Sequence, residues 1–126
     1  MTIEQTDVID FWATKDDSPE ISLIIADHLP WDVDEAEHLW MLQAKINKYL
    51  AAIGSGELYE KVPKALDKRI VITLAPKYLL SKNAQYFVDR VQGLIRSYGF
   101  DFRVDDKLSD RNEMPDELKQ SNVKPV

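Results

Sequence analysis

The run Arg69-Ile70-Val71-Ile72-Thr73-Leu74-Ala75 constrains this chain more than any other segment. Apolar side chains fall on both of its faces, the pattern of a strand in the middle of a sheet rather than at its edge. Pro76, with no amide hydrogen to donate, stops it. A central strand needs neighbours, and the remaining sequence supplies them. Residues 7–14 (DVIDFWAT) are rich in β-branched and aromatic types and read as a strand. Lys15-Asp16-Asp17-Ser18-Pro19 is turn chemistry, and Ile21, Leu23 and Ile25 then alternate with Ser22, Ile24 and Ala26 as a second strand, closing a hairpin. Phe100, Phe102 and Val104 alternate with Asp101, Arg103 and Asp105, which is the mark of a half-buried last strand.

Two helices separate these strands. The first is expected to start near Asp32 or Asp34, either of which could cap it, and its acidic opening (Asp32, Asp34, Glu35, Glu37) suits the positive end of a helix dipole. Leu39, Leu42, Ile46, Leu50 and Ile53 follow at spacings of three and four, and Gly54-Ser55-Gly56 ends the helix. A short segment from Glu57 to Val62 precedes Pro63. Ser81 caps the second helix, whose Ala84, Phe87, Val88, Val91, Leu94, Ile95 and Tyr98 keep the helical period, with Gly99 just past its end. The order is therefore β-β-α-β-α-β. Two helical crossovers imply right-handed connections, some parallel pairing, and a four-stranded mixed sheet with both helices on one face, an α+β (α/β) fold. A chain of 126 residues fits one such domain, taken as 1–105, followed by a polar stretch, 106–126, read as a flexible tail.

Composition excludes several functions. Without cysteine there is no disulfide framework, thiol nucleophile or thiolate metal site, which suits a reducing cytosol. The opening MTIEQTDVID lacks both a basic start and an apolar run, so no signal peptide is expected, and wholly apolar stretches such as Leu23–Ala26 are far short of the roughly 20 residues of a membrane span. A cytoplasmic location without membrane contact follows as the expectation. A net charge of −6 opposes general nucleic-acid binding and would steer instead toward a basic partner. The outer side of the second helix is basic (Lys77, Lys82, Arg90, Arg96), yet Tyr86 is the one clear stacking aromatic there, so a solvated face is the simpler reading.

The densest group of possible ligands is Asp27, His28, Asp32, Asp34, Glu35, Glu37 and His38. Histidines and carboxylates together hold zinc or iron, but these two histidines stand ten residues apart across a proline turn and form no i, i+4 pair. No metal, cofactor or catalytic residue is assigned. Ser55 lacks the flanks of a nucleophile elbow, and no glycine-rich phosphate loop is present. Asp27, His28, Trp31 and His38 remain a candidate functional corner. A second candidate is the side of the first helix that its apolar stripe leaves uncovered. Trp40 lies about 100° from that stripe, with Ala44, Asn47 and Ala51 near its direction and Met41 further round. An aromatic and methionine strip flanked by polar residues marks a protein contact surface.

The tract Asp27-His28-Leu29, Trp31, Glu37-His38-Leu39, Leu42-Gln43, Lys45-Ile46-Asn47 and Tyr49, followed by Gly56-Glu57 and Tyr59, resembles a family of small bacterial domains of unknown function. The likeness spans roughly residues 7–104, with DHL…W…EHL…LQxKIN as its most specific part. It implies a bacterial source and a small α/β fold, and implies no activity. The functional expectation is a non-catalytic interaction protein that binds another protein through the first helix and the Asp27–Asp34 turn. An immunity-type protein that neutralises a toxin is one concrete form, and homodimerisation through Trp40 and Met41 is compatible with it. The alternative is a small-ligand or metal-binding domain using Asp27 with His28 or His38.

Overall fold

A computed structural model of the chain describes residues 3, 11–15 and 17–105 and the backbone of 124–125. The strands are β1 (Phe11–Thr14), β2 (Glu20–Asp27), β3 (Arg69–Pro76) and β4 (Asp101–Val104), with a two-residue β5 (Lys124–Pro125). They form one sheet in the order β4-β3-β2-β1-β5. β1 and β2 are an antiparallel hairpin, whereas β2, β3 and β4 run parallel. The expected four-stranded mixed sheet is therefore present, and β3 lies inside it. Residues 7–10 of the expected first strand lie outside the described residues. So does the expected tail, except for Lys124 and Pro125, which pair antiparallel with Trp12 and Phe11 at the outer edge.

Helix α1 (Glu35–Ser55) carries the chain from β2 to β3, and α3 (Lys82–Ser97) from β3 to β4. Both crossovers step the same way across the sheet, so right-handedness places both helices on one face. Between α1 and β3 lie a single-turn helix α2 (Glu57–Lys61) and a 3-10 turn (Pro63–Asp67). The core between helices and sheet joins Ile21, Leu23 and Ile25 of β2 and Ile70, Ile72 and Leu74 of β3 to Leu42, Ile46 and Ile53 of α1 and Ala84, Val88 and Ile95 of α3. Ile3 also enters it, its amide donating to the Ala26 carbonyl at 2.9 Å.

The ends of α3 follow its sequence. Ser81 Oγ accepts from the Ala84 amide at 3.1 Å, and Gly99 adopts φ 91°, the left-handed turn that glycine makes without a Cβ clash. Gly56 closes α1 in the same way at φ 85°. Helix α1 starts where expected, but without the expected side-chain cap. Asp34 occupies the N-cap position but sits at φ 49° and makes no side-chain cap.

The packed side of α1 also differs. The buried residues are His38, Leu42, Lys45, Ile46, Tyr49, Ala52 and Ile53. At 100° per residue this stripe is rotated about 60° from the one drawn through Leu39 and Leu50. Those two leucines pack only partly against the core. The rotation is held by a polar group: the Tyr49 hydroxyl donates to the Ile24 carbonyl of β2 at 2.7 Å, deep in the interior. Lys45 is 0% exposed on the same side.

The opposite face of the sheet is closed as well, with Ala13, Ile24, Val71, Thr73 and Ala75 all buried. At its β4 side a charged network crosses the strands. Arg103 binds Glu20 through two hydrogen bonds (3.1 and 2.9 Å) and approaches Asp101 at 3.3 Å, while Arg96 Nε donates to Asp101 at 3.1 Å. Among the described residues no helix is long and apolar enough to cross a membrane.

Candidate functional site

Parallel strands β2 and β3 deliver their carboxyl ends to one end of the domain, where residues 28–34 lead into α1 and residues 77–81 lead into α3. Alternation along β2 sends Ile21, Leu23 and Ile25 toward the helices, and Asp27 continues that series. Its side chain is consequently buried beneath α1. His38, one turn into α1, meets it there: Nε2 lies 2.6 Å from Asp27 Oδ2, and the other carboxylate oxygen accepts the Leu29 amide at 3.1 Å. Trp31 folds back over the pair, its ring parallel to the imidazole within 12° and 3.5 Å away between centroids. The turn is thus held by an aspartate, a histidine and a tryptophan drawn from three elements.

Two polar atoms in this knot have no hydrogen-bond partner among the described residues: His38 Nδ1 and Trp31 Nε1. His38 is 1% and Trp31 4% exposed, so water does not freely reach either ring. Burial raises the Asp27 carboxyl above its ordinary value, opposed by the hydrogen bond and charge of His38 and by the Leu29 amide. His28, next in sequence, points the other way and is exposed. The candidate corner therefore divides. Asp27, Trp31 and His38 come together, whereas His28 is exposed and acts on Asp27 through its charge.

Around this knot the surface is apolar and acidic. One cleft of about 420 Å³ is lined by Leu29, Pro30, Val33, Asp34, Glu37, His38 and Met41. Asp34 raises the Glu37 carboxyl above its ordinary value, first through a hydrogen bond between the two side chains and then through the repulsion of like charges. A second cleft of about 700 Å³ lies between the two loops, against Trp31, Asp32, Glu35, Tyr78, Leu79 and Ser81. Glu35 bridges the helices there: it accepts from Asn83 at 2.9 Å, and hydrogen bonds from Ser81 and Asn83 hold its carboxyl below the ordinary value. Among the described residues no group of three or more histidine, aspartate or glutamate side chains is placed to hold a metal ion.

The strip on α1 is only partly as expected. Trp40 is 62% exposed, and Asn47 and Ala51 are exposed on the same side, about 180° from the buried stripe. Ala44 is half-buried beside them. Met41 falls nearer the core and packs against it, so it belongs to the wall of the acidic cleft rather than to the strip. Val33, in the loop ahead of α1, adds an apolar side chain that is 64% exposed. A lone valine in a polar turn gives no periodic signal, so the sequence pattern does not single it out. The cations associated with α3 are partly engaged at home: Arg90 with Tyr86, Arg96 with Asp101, and Lys77 over the Tyr78 ring.

A profile described as Family of unknown function (DUF6572) matches residues 1–107, and the chain belongs to that family. Comparison with curated proteins and with solved structures finds no match to either.

Proposed function

We propose that this member of a family of unknown function is a non-catalytic binding module that engages a protein partner through the loop 28–34 and the outer side of α1. The observation that carries the reading is Trp40, a large aromatic left 62% exposed opposite the packed side of its helix. Tryptophan is among the residues that dominate the energy of protein contacts, because it buries a large area at small conformational cost. Val33, Ala44, Asn47 and Ala51 extend the surface, and the adjoining turn is already rigid through Asp27, His38 and Trp31. A preformed surface loses little entropy on binding. The Asp27–His38 pair does not read as an acid–base centre: both groups are buried, and no hydroxyl among the described residues is hydrogen-bonded to the imidazole.

For a small acidic chain of bacterial origin in the cytosol, an immunity-type protein neutralising a toxin is the concrete form of this proposal. Self-association through Trp40 is a second form that sedimentation distinguishes. The test is retention of a partner from host cells by the tagged chain, compared among wild type, Trp40→Ala and Val33→Ser. Loss of a discrete partner, or of the dimer, in both variants at unchanged melting temperature is expected. A monomer that retains nothing, or equal retention by all three proteins, would end the proposal.

A further inference from the structure

We propose that the outer side of α1 pairs with the same side of a second copy of this chain, the two helices running antiparallel about a twofold axis. The inference rests on reading that side as a contact surface and names its occupant. Glu37, Trp40, Ala44, Asn47, Ala51 and Gly54 follow one another there at alternating spacings of three and four. That is the repeat of a seam between two packed helices, distinct from the inward stripe of the same helix. All six are exposed except Ala44, which is half-buried.

Size and charge both identify the occupant as the chain itself. With the axis level with residues 45 and 46, an antiparallel copy sets Trp40 against Ala51, Ala44 against Asn47 and Glu37 against Gly54. Each contact recurs with the copies exchanged, as a twofold interface requires. The large indole thus meets an alanine, whereas a parallel copy would stack Trp40 on Trp40 and hold the alanine layers apart. Gly54 fits the same register. It lies inside α1, where alanine is the better helix former, and a Cβ there would meet nothing within 4 Å. Its own chain does not require the glycine, and a second helix drawn close by small residues uses the space.

Two chains of net charge −6 repel unless they meet across a surface almost free of charge. Glu37 is the one charged member of the seam, and this register puts it at the two ends, in reach of water and beside glycine. The flanking positions set Met41 against Lys48 and Gln43 against Leu50, so no like charges oppose each other along the seam. Helix α3 widens the contact. Gln43, Asn47 and Leu50 share a groove of about 320 Å³ with Phe87 and Leu94, and Leu94 is 52% exposed. A helix of 21 residues gives a seam about 31 Å long and about 10 Å wide, at the small end of stable interfaces.

Sedimentation equilibrium of the full chain should show a monomer–dimer equilibrium with a dissociation constant on the order of 10 μM. Trp40→Ala removes the large residue and Ala51→Leu fills its place, and each should weaken the dimer by about tenfold. The double variant restores one large and one small residue to the layer and should bind more tightly than either single change. Both positions are exposed, and a retained circular dichroism spectrum shows that the variants fold. Direction is read by a spin label on Ser55→Cys, a unique site in a chain without cysteine. The antiparallel register separates the two labelled positions by about 28 Å along the helices, whereas a parallel pair brings them within about 10 Å. A monomer at on the order of 0.5 mM, a tighter dimer of Ala51→Leu, no recovery in the double variant, or the short separation would each overturn the proposal. A monomer that still retains a host partner through Trp40 overturns the pairing and leaves the contact surface standing, so the two failures are told apart.

Discussion

Replacing His38 with leucine tests the knot on which the whole end of the domain depends. The substitution keeps an apolar body of similar size under Trp31 and removes one of two hydrogen bonds to a carboxylate that is almost completely buried. Breaking a buried pair by deleting one member costs about 3–5 kcal/mol, because the survivor stays desolvated. The Leu29 amide still serves Asp27, so the lower end applies, about 3 kcal/mol at neutral pH. For a domain of this size that is a fall in melting temperature on the order of 10–15 °C. The effect should also depend on pH. The Asp27 carboxyl is already raised above its ordinary value of 3.8 by burial, and His38 opposes that rise. Without the imidazole it rises further. A carboxyl raised in the folded state favours folding below its unfolded value, and that contribution disappears as pH climbs through the folded value. The deficit of the variant is therefore largest at neutral pH and shrinks toward pH 4. Urea unfolding at several pH values measures it, and a cycle with Asp27→Asn should give a coupling of about 2 kcal/mol. A loss below about 1 kcal/mol, or a deficit that does not change with pH, would refute the reasoning.

Two other substitutions probe the packing that orients the site. Tyr49→Phe removes the hydroxyl that anchors α1 to the Ile24 carbonyl, and should cost about 1–2 kcal/mol in urea unfolding with little change in the sheet. Glu20 and Asp101 titrate in the opposite sense to Asp27. The Arg103 hydrogen bond lowers Glu20, while at Asp101 burial is outweighed by Arg96, the Phe102 amide and Arg103. Their contribution is present above the unfolded values of 4.5 and 3.8 and is lost as pH falls through the lowered folded values. Arg103→Leu should flatten the stability curve below about pH 4.5, and an unchanged acid limb would show that the network contributes nothing there.

Much of this architecture is written in short-range patterns. The doubly apolar run at 69–75 marks the inner strand, Ser81 and Gly99 mark the ends of α3, and the alternation at 100–104 marks β4. The rotation of α1 is not written there, because it depends on burying Lys45, Tyr49 and His38, residues that a hydrophobicity pattern assigns to the outside. Tyr49 and His38 satisfy their polar ends on Ile24 and Asp27, groups of another element, and such pairing has no local signature. The same blindness joins Met41 to Trp40: adjacent residues on a helix differ by 100°, enough to put one against the core and the other in solvent. One signal for the site itself is local. Extending the inward series Ile21, Leu23, Ile25 by one step places Asp27 under the helix and turns His28 away, so alternation alone separates the two neighbours. The partner of Asp27, eleven positions on, lies beyond the reach of that rule.

The two sides of α1 differ in how freely they can vary by descent. Changes at His38, Lys45 or Tyr49 disturb the interior whatever the chain binds. Changes at Trp40, Ala44, Asn47 or Ala51 leave the interior as it was. On the proposed reading of this strip as a contact surface, what the helix binds would therefore change through a handful of codons while the scaffold beneath it stays folded.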